Sequence, residues 1–403
     1  MTERKFGFGA AGDVFWTALK LGLTSFGGPI AHIGYFREEY VGRRQWLSDR
    51  SFAELVALCQ FLPGPASSQL GMAIGAKRAG VLGALAAWIG FTMPSALLMV
   101  AFAFGAQAAG IGGAGWLQGL KLAAVAIVAQ AVWSMSRTLA PDRPRATLAL
   151  VTACAAVLWP SMAGQLVPLL FCAIIGIAVY KSKAGAGAEE GSGEPPIPIG
   201  RKLAAAMLAL FIILLIGLPI ASGWSGSAAL TLIDSVYRAG SLVFGGGHAV
   251  LPMLETELLS GKRPLLTSDQ FMAGYGAVQA VPGPLFTFAA YIGAAMETGY
   301  ARIGYAMISL FSIFLPSFLL VLGALPFWER LKRNKTAQSA LMGINAGIVG
   351  ILLAALYDPI FMDAVGSAKE LAIVIVLFIL LQIWKRPPWQ AVALAALAGL
   401  LFL

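Results

Sequence analysis

The chain is 403 residues long, 59% hydrophobic and only 12% charged, with a formal net charge of +9. At a mean hydropathy of +0.80 it is too apolar for a soluble globular domain, and several runs reach the roughly 20 residues that cross a bilayer. The positive balance then belongs to cytoplasmic loops rather than to a nucleic-acid surface. Cys59, Cys154 and Cys172 lie in apolar segments without metal spacing or a disulfide framework. The N-terminus shows no signal-peptide cleavage pattern, so no processing is expected.

In chain order, the first break is Ser25-Phe26-Gly27-Gly28-Pro29, where Gly27 and Gly28 let the backbone approach a ligand or another helix closely. Lys20 stands six residues before the Phe, and His32 and Glu39 follow it. A charged loop leads into a helix that carries Glu54 and runs to Gln60-Phe61-Leu62-Pro63-Gly64-Pro65. Proline cannot continue a helix but suits the start of one, so this stretch ends one half-helix and Pro65 is expected to open the next. The new first turn holds Ser67, Ser68 and Gln69. An apolar run, Gly80 to Phe104, comes next, and Lys121 sits in a further apolar helix, Leu117 to Trp133. Residues 181–202, rich in Gly, Ala, Glu and Pro, read as a flexible linker, and 203–222 as one extra transmembrane helix.

The remainder, 223–403, repeats the first 180 residues. Val243-Phe244-Gly245-Gly246-Gly247 matches the first break at an offset of 218, with Arg238 falling on Lys20 and Glu257 on Glu39. Gln279-Ala280-Val281-Pro282-Gly283-Pro284 matches the Pro-Gly-Pro stretch at 219 and leads to Thr287. Leu315-Pro316-Ser317 falls on Met93-Pro94-Ser95 and Asn345 on Lys121, whereas His248 is out of register with His32. Register kept over about 100 residues marks a duplication.

Because one extra helix separates the repeats, the second is expected upside down. With the breaks as re-entrant hairpins, residues 37–50, 77–78 and 137–145 share one side and carry nine basic residues against four acidic. That side is cytoplasmic by the positive-inside rule. The matching loop at 255–270 holds Glu255, Glu257 and Asp269 against Lys262 and Arg263, as suits the outside. The N-terminus and linker are thus placed in the cytoplasm and the C-terminus in the periplasm. The working count is nine crossings and four re-entrant hairpins, although Thr147–Trp159, Leu371–Trp384 and Trp389–Leu403 are short for full spans.

Broken backbone at membrane depth is tolerated only where protein or a water-filled cavity surrounds it, and matching breaks in two halves mark a transporter site. The helix starts at Pro65 and Pro284 offer free N–H groups and two positive dipole ends, which attract an anion. Ser67, Ser68 and Thr287 are placed to donate to it, or else satisfy local backbone. Gln60 and Gln279 either cap the preceding half-helices or touch substrate. Lys20 and Arg238 suit a divalent anion, while Lys121 either faces a cavity or snorkels to the nearer surface. His32, Glu39, Glu54, His248 and Glu257 are the proton-relay candidates, each with a structural or solvated alternative. No P-loop sequence argues for ATP hydrolysis and no nucleophile–base or metal constellation argues for an enzyme, so neither cofactor nor metal is expected. Gly110–Gly115 fits a dinucleotide fingerprint in form alone, since no strand precedes it.

Leu21-Gly-Leu-Thr-Ser-Phe-Gly-Gly-Pro29, Ala31-His-Ile-Gly-Tyr-Phe-Arg37, Gln45-Trp-Leu-Ser-Asp49, the two Pro-Gly-Pro sites and Phe244-Gly-Gly-Gly-His248 together resemble the chromate ion transporter family in its long two-domain form. The resemblance covers essentially the whole chain apart from the linker. It implies a bacterial inner-membrane protein that exports chromate and confers resistance, some members being linked to sulfate. The resulting expectation is an all-α polytopic membrane protein of two homologous halves in inverted topology with broken, re-entrant helices. Its substrate-binding set is Lys20, Gly27, Gly28, Gln60, Pro63, Gly64, Pro65, Ser67, Ser68, Lys121, Arg238, Gly245, Gly246, Gln279, Pro282, Gly283, Pro284, Thr287 and Asn345. Its partners are a small oxyanion, chromate or sulfate, and the lipid bilayer, with a homodimer allowed, no nucleic acid, and protons as the natural coupling ion.

Overall fold

The computed structural model describes residues 8–26, 28–108, 115–181, 199–244, 247–259, 264–296, 299–331 and 334–402. Gly27, Gly245 and Gly246 lie outside these, as do residues 182–198 of the expected linker. Every element among the described residues is helical.

Helix α1 (Phe8–Thr24) stops at the first Gly-rich break, and α2 (Gly28–Phe36) continues into a π-helical turn, Arg37–Arg43. The Ser48 hydroxyl caps α3 (Asp49–Phe61) by accepting the Ser51 N–H, which satisfies one of the orphan donors of a helix start. Leu62 is extended, as a residue before proline prefers. Helix α4 (Ala66–Ala108) then opens, and turns back on itself at Ala79–Gly80, where Gly80 takes a φ of +64°. Helices α5 (Gly115–Leu139), α6 (Arg143–Leu158) and α7 (Met162–Tyr180) complete the first half.

Helix α8 (Arg201–Ser225) follows, beginning before and ending after the expected 203–222 because Gly226, left-handed at φ 61°, stops it. Its mean hydropathy of 2.8 is the highest of the long helices, yet only 11% of an apolar 18-residue stretch of it is buried inside the protein. Such a surface belongs against lipid.

The second half runs α9 (Ala228–Leu242), α10 (Val250–Leu259), α11 (Ser268–Val278), α12 (Phe288–Ala295), α13 (Ala301–Ala324), α14 (Trp328–Leu331), α15 (Lys335–Ala355), α16 (Met362–Ala364), α17 (Ala368–Gln382) and α18 (Pro388–Phe402). Gly299, between α12 and α13, has a φ of +65°, nearly that of Gly80. The α4 bend and the α12–α13 turn are therefore the same corner built twice.

Among the described residues six helices are long and apolar enough to span a membrane: α4, α5, α7, α8, α13 and α15. The protein is thus a multi-pass membrane protein. Helices α6, α17 and α18 have 16, 15 and 15 residues, about 24 Å at 1.5 Å per residue, against a hydrocarbon core of about 30 Å. The halves are interleaved. Helix α5 packs on α17 and α18, and α15 packs on α6 and α7, so the inner helix of each half is held by the last two helices of the other.

Candidate functional site

The two Pro-Gly-Pro breaks are each fastened by the opposite half. The Gly64 N–H donates to the Val243 carbonyl at 2.7 Å, and the Gly283 N–H donates to the Ser25 carbonyl at 2.8 Å. Ser25 and Val243 occupy the same place before the two Gly-rich breaks, so the contact is reciprocal. Gly64 and Gly283 hold φ values of +124° and +100°, where a side chain is strained. A Cβ on Gly64 would also lie 2.5 Å from both Gln69 Nε2 and Ser317 Oγ, and one on Gly283 3.0 Å from Ser95 Oγ. Ser317 belongs to α13 and Ser95 to α4, so each glycine faces a serine of the other half.

Pro65 and Pro284 stand one residue outside the helices they introduce, rather than inside them. Pro284 has an extended ψ of 134°, and the tight turn Leu285–Thr287 precedes α12. Its Pro284 carbonyl is taken by Thr287 Oγ1 at 2.8 Å. In the first half α4 starts directly at Ala66, and Gln69 Nε2 reaches back to the Pro63 carbonyl at 2.6 Å. Pro63 and Pro282 are half-buried, while Gly64, Pro65, Gly283 and Pro284 are buried.

Around this clasp lies a set of buried polar groups without partners among the described residues: the hydroxyls of Ser25, Ser68 and Ser317, the Gln69 amide oxygen and the Gln279 amide nitrogen. A buried polar group left unpaired costs about 1–3 kcal/mol. Three hydroxyls and an amide N–H are donors awaiting an acceptor, which an oxyanion supplies. Ser67 Oγ is instead joined to His32 Nδ1 at 3.2 Å. Gln60 is exposed, away from the break interior. Gly28 opens α2 at φ +79°, and His248 Nδ1 meets the Tyr275 hydroxyl at 2.8 Å.

The basic residues fall into two related clusters. Lys20 Nζ lies 2.9 Å from Glu39 Oε2, and Arg238 lies 2.6 Å from Glu257 Oε2. The sequence sets these four residues apart as anion ligands and proton carriers; the structure joins them as ion pairs, one per half. Their company differs. Glu39 also receives Arg44 Nε at 3.0 Å and has Arg43 at 3.8 Å. Arg238 instead spans a second carboxylate, Asp234, through bonds of 2.9 and 2.8 Å. Glu39 lies outside the six long helices; burial raises its carboxyl, but hydrogen bonds from Lys20 and Arg44, with their charges, together outweigh that and hold it below the ordinary glutamate value.

Three further sequence candidates lie apart from the clasp. Lys121 pairs with Asp269 at 2.5 Å, and the Asn345 amide oxygen is buried without a partner among the described residues. Glu54 lies 4.0 Å from Arg50 on its own helix. The Gln45-Trp46-Leu47-Ser48-Asp49 segment is structural: Arg44 and Arg78 sit over the Trp46 ring, Tyr40 stacks on it, and Asp49 takes Arg37 at 2.7 Å. Sequence reasoning passed over Ser25, Ser95, Ser317 and Asp234 as site residues. The repeated Pro-Ser pair in α4 and α13 was the available signal for two of them.

A family model described as "Chromate transporter" matches in two parts, residues 12–177 and 230–400. A "Chromate transport protein" of Pseudomonas aeruginosa is 30% identical over 358 residues, covering 86% of this chain and 80% of that protein. A second of the same name, from Cupriavidus metallidurans, is 26% identical over 391 residues, covering 95% and 90%. An uncharacterized transporter of Methanocaldococcus jannaschii is 27% identical over 380 residues, covering 92% and 89%. No solved structure matches.

Proposed function

The chain belongs to the chromate transporter family, and from that premise we propose that it carries chromate out of the cytoplasm by alternating access, as a proton-coupled secondary transporter of the bacterial inner membrane. The observation that carries this reading is the reciprocal clasp. Two broken helices, one per half, meet through Gly64–Val243 and Gly283–Ser25, with the hydroxyls of Ser25, Ser68 and Ser317 unpartnered among the described residues around them. Chromate is a tetrahedral dianion that only accepts hydrogen bonds, so hydroxyls, amide N–H groups and helix N-termini complement it. The backbone clasp couples the halves, so a movement of one break is transmitted to the other.

In this reading the second half is inverted relative to the first, with the N-terminus and the linker in the cytoplasm and the C-terminus in the periplasm. Support comes from the basic loops of the first half and from α8, the single lipid-exposed helix between the halves. Reporter fusions after Arg145 should read cytoplasmic and fusions at Lys262 periplasmic. A cytoplasmic signal at Lys262 rejects the inversion. The transport reading is tested in proteoliposomes containing the purified protein, with radiolabelled chromate and, in parallel, sulfate. Saturable chromate flux that Gly64→Leu abolishes supports it; flux equal to that of empty liposomes rejects it.

A further inference from the structure

Away from the clasp, a cavity of about 290 Å³ opens between α7, α10, α15 and the segment from Asp358 to Asp363. Glu255, Asp358 and Asp363 line it, and among the described residues no lysine, arginine or histidine does. A passage for a dianion would not be walled by three carboxylates, because like charges in a partly dry site repel strongly. The cavity therefore serves a cation. A metal ion is a poor fit, since no three His, Cys, Asp or Glu side chains among the described residues are gathered closely enough to hold one.

The cavity wall carries a second mark of its ligand. Gln165 is only 8% exposed, and its Nε2 is committed to Thr256 Oγ1 at 2.8 Å and to the Pro252 carbonyl at 3.3 Å. That leaves the Gln165 amide oxygen, on a wall shared with Glu255, buried and without a donor. Asp363 is already engaged by the Ser268 hydroxyl, whereas Glu255 makes no ion pair or hydrogen bond among the described residues. The geometry points to Glu255 as the proton site of the transport cycle: its carboxylate takes a proton from solvent, and the resulting hydroxyl is the donor that the Gln165 amide oxygen lacks.

The surroundings on every side agree with that assignment. From the Asp358–Asp363 segment two carboxylates face Glu255, and from α7 only the neutral Gln165 does. On α9, Arg238 and Asp234 are engaged with each other and with Glu257, and at α11 Asp269 is paired with Lys121. Among the described residues no cation is left to hold Glu255 ionised. The residue lies outside the six long helices. Burial first, then the charges of Asp358 and Asp363, push its pKa up to about 8. The proton is thus held below that pH and released above it. None of the sequence-derived proton candidates occupies this cavity.

The inference rests on the transport reading, and one preparation tests both separately. Proteoliposomes enclosing a pH-sensitive dye are given radiolabelled chromate with and without a pH gradient, or a sodium gradient, using wild type, Glu255→Gln and Asp363→Asn. In wild type the pH gradient should accelerate chromate flux severalfold and the dye should register proton movement. Glu255→Gln, which cannot release a proton, should lose the response to the gradient. Asp363→Asn removes a like charge, so the midpoint of the flux–pH profile should move to lower pH. An unshifted midpoint, a Glu255→Gln protein that still responds to the gradient, or wild-type flux that follows sodium instead of pH overturns the assignment. Absence of chromate flux from wild type under every condition overturns the transport reading itself, and the proton site with it.

Discussion

The two halves use the same backbone and different side chains. The backbone devices are nearly copies: Gly64 bonds Val243 at 2.7 Å and Gly283 bonds Ser25 at 2.8 Å, and Gly80 and Gly299 turn at φ +64° and +65°. The ion pairs share a position but not a balance. Three cations surround one carboxylate at Glu39, whereas one cation serves two carboxylates at Arg238. The breaks diverge in the same way, since buried Ser67, Ser68 and Gln69 follow the first and only Thr287 follows the second. The two halves have therefore kept the backbone devices that shape the chain while their side chains have diverged.

The largest effect should come from filling the shared backbone device. Gly64→Leu and Gly283→Leu should both reduce chromate flux in proteoliposomes to background, since forcing a side chain into a left-handed break costs about 1–3 kcal/mol in backbone strain alone. The milder Gly64→Ala and Gly283→Ala should separate the halves. Gly64 has two atoms at 2.5 Å from the new Cβ, whereas the nearest atom to the Gly283 Cβ is at 3.0 Å, so Gly64→Ala should lose more. Equal, near-normal flux from both alanine variants would mean the breaks only connect helices.

The ionic clusters should differ next. Arg238→Ala leaves Asp234 and Glu257, side chains only 6% and 11% exposed, facing each other without a cation; breaking a buried pair this way costs about 3–5 kcal/mol. Lys20 is half exposed and Glu39 keeps Arg44 and Arg43, so Lys20→Ala should cost less than about 1 kcal/mol. Thermal unfolding in detergent distinguishes the two, and equal melting shifts would erase the proposed asymmetry. In binding rather than stability, Ser67→Ala combined with Ser68→Ala should raise the chromate KM more than Thr287→Ala, because the Thr287 hydroxyl is occupied by the Pro284 carbonyl. Lys121→Ala should be the mildest, with flux within about twofold of wild type, since its partner Asp269 is 65% exposed.

Much of the fold is legible in the sequence because proline and glycine act locally. Pro63 and Pro65 end one helix and start another whatever surrounds them, and the offset of 218–219 identifies the corresponding places in both halves. Lys20 and Glu39 are visible as residues shared with Arg238 and Glu257, but not as partners, because their meeting depends on how the π-helical turn Arg37–Arg43 comes back to Lys20 of α1. Reading them separately gave two functions where the structure has one ion pair. Ser95 and Ser317 are ordinary residues in apolar helices until the opposing glycine is brought against them. Glu255 carries no repeated signature at all, and only the packing of α7, α10 and α15 encloses it. Contacts between halves are the part that local chemistry does not write.

The most direct test of the clasp as one anion site built from both halves is equilibrium binding of radiolabelled chromate to purified wild type, Ser68→Ala and Ser317→Ala. The two hydroxyls come from opposite halves, are 2% and 0% exposed, and have no partner among the described residues. A hydrogen bond to a charged group contributes about 1.5–3 kcal/mol, so each single variant should weaken chromate binding about tenfold or more while the protein remains folded. Unchanged affinity in both variants would contradict the account.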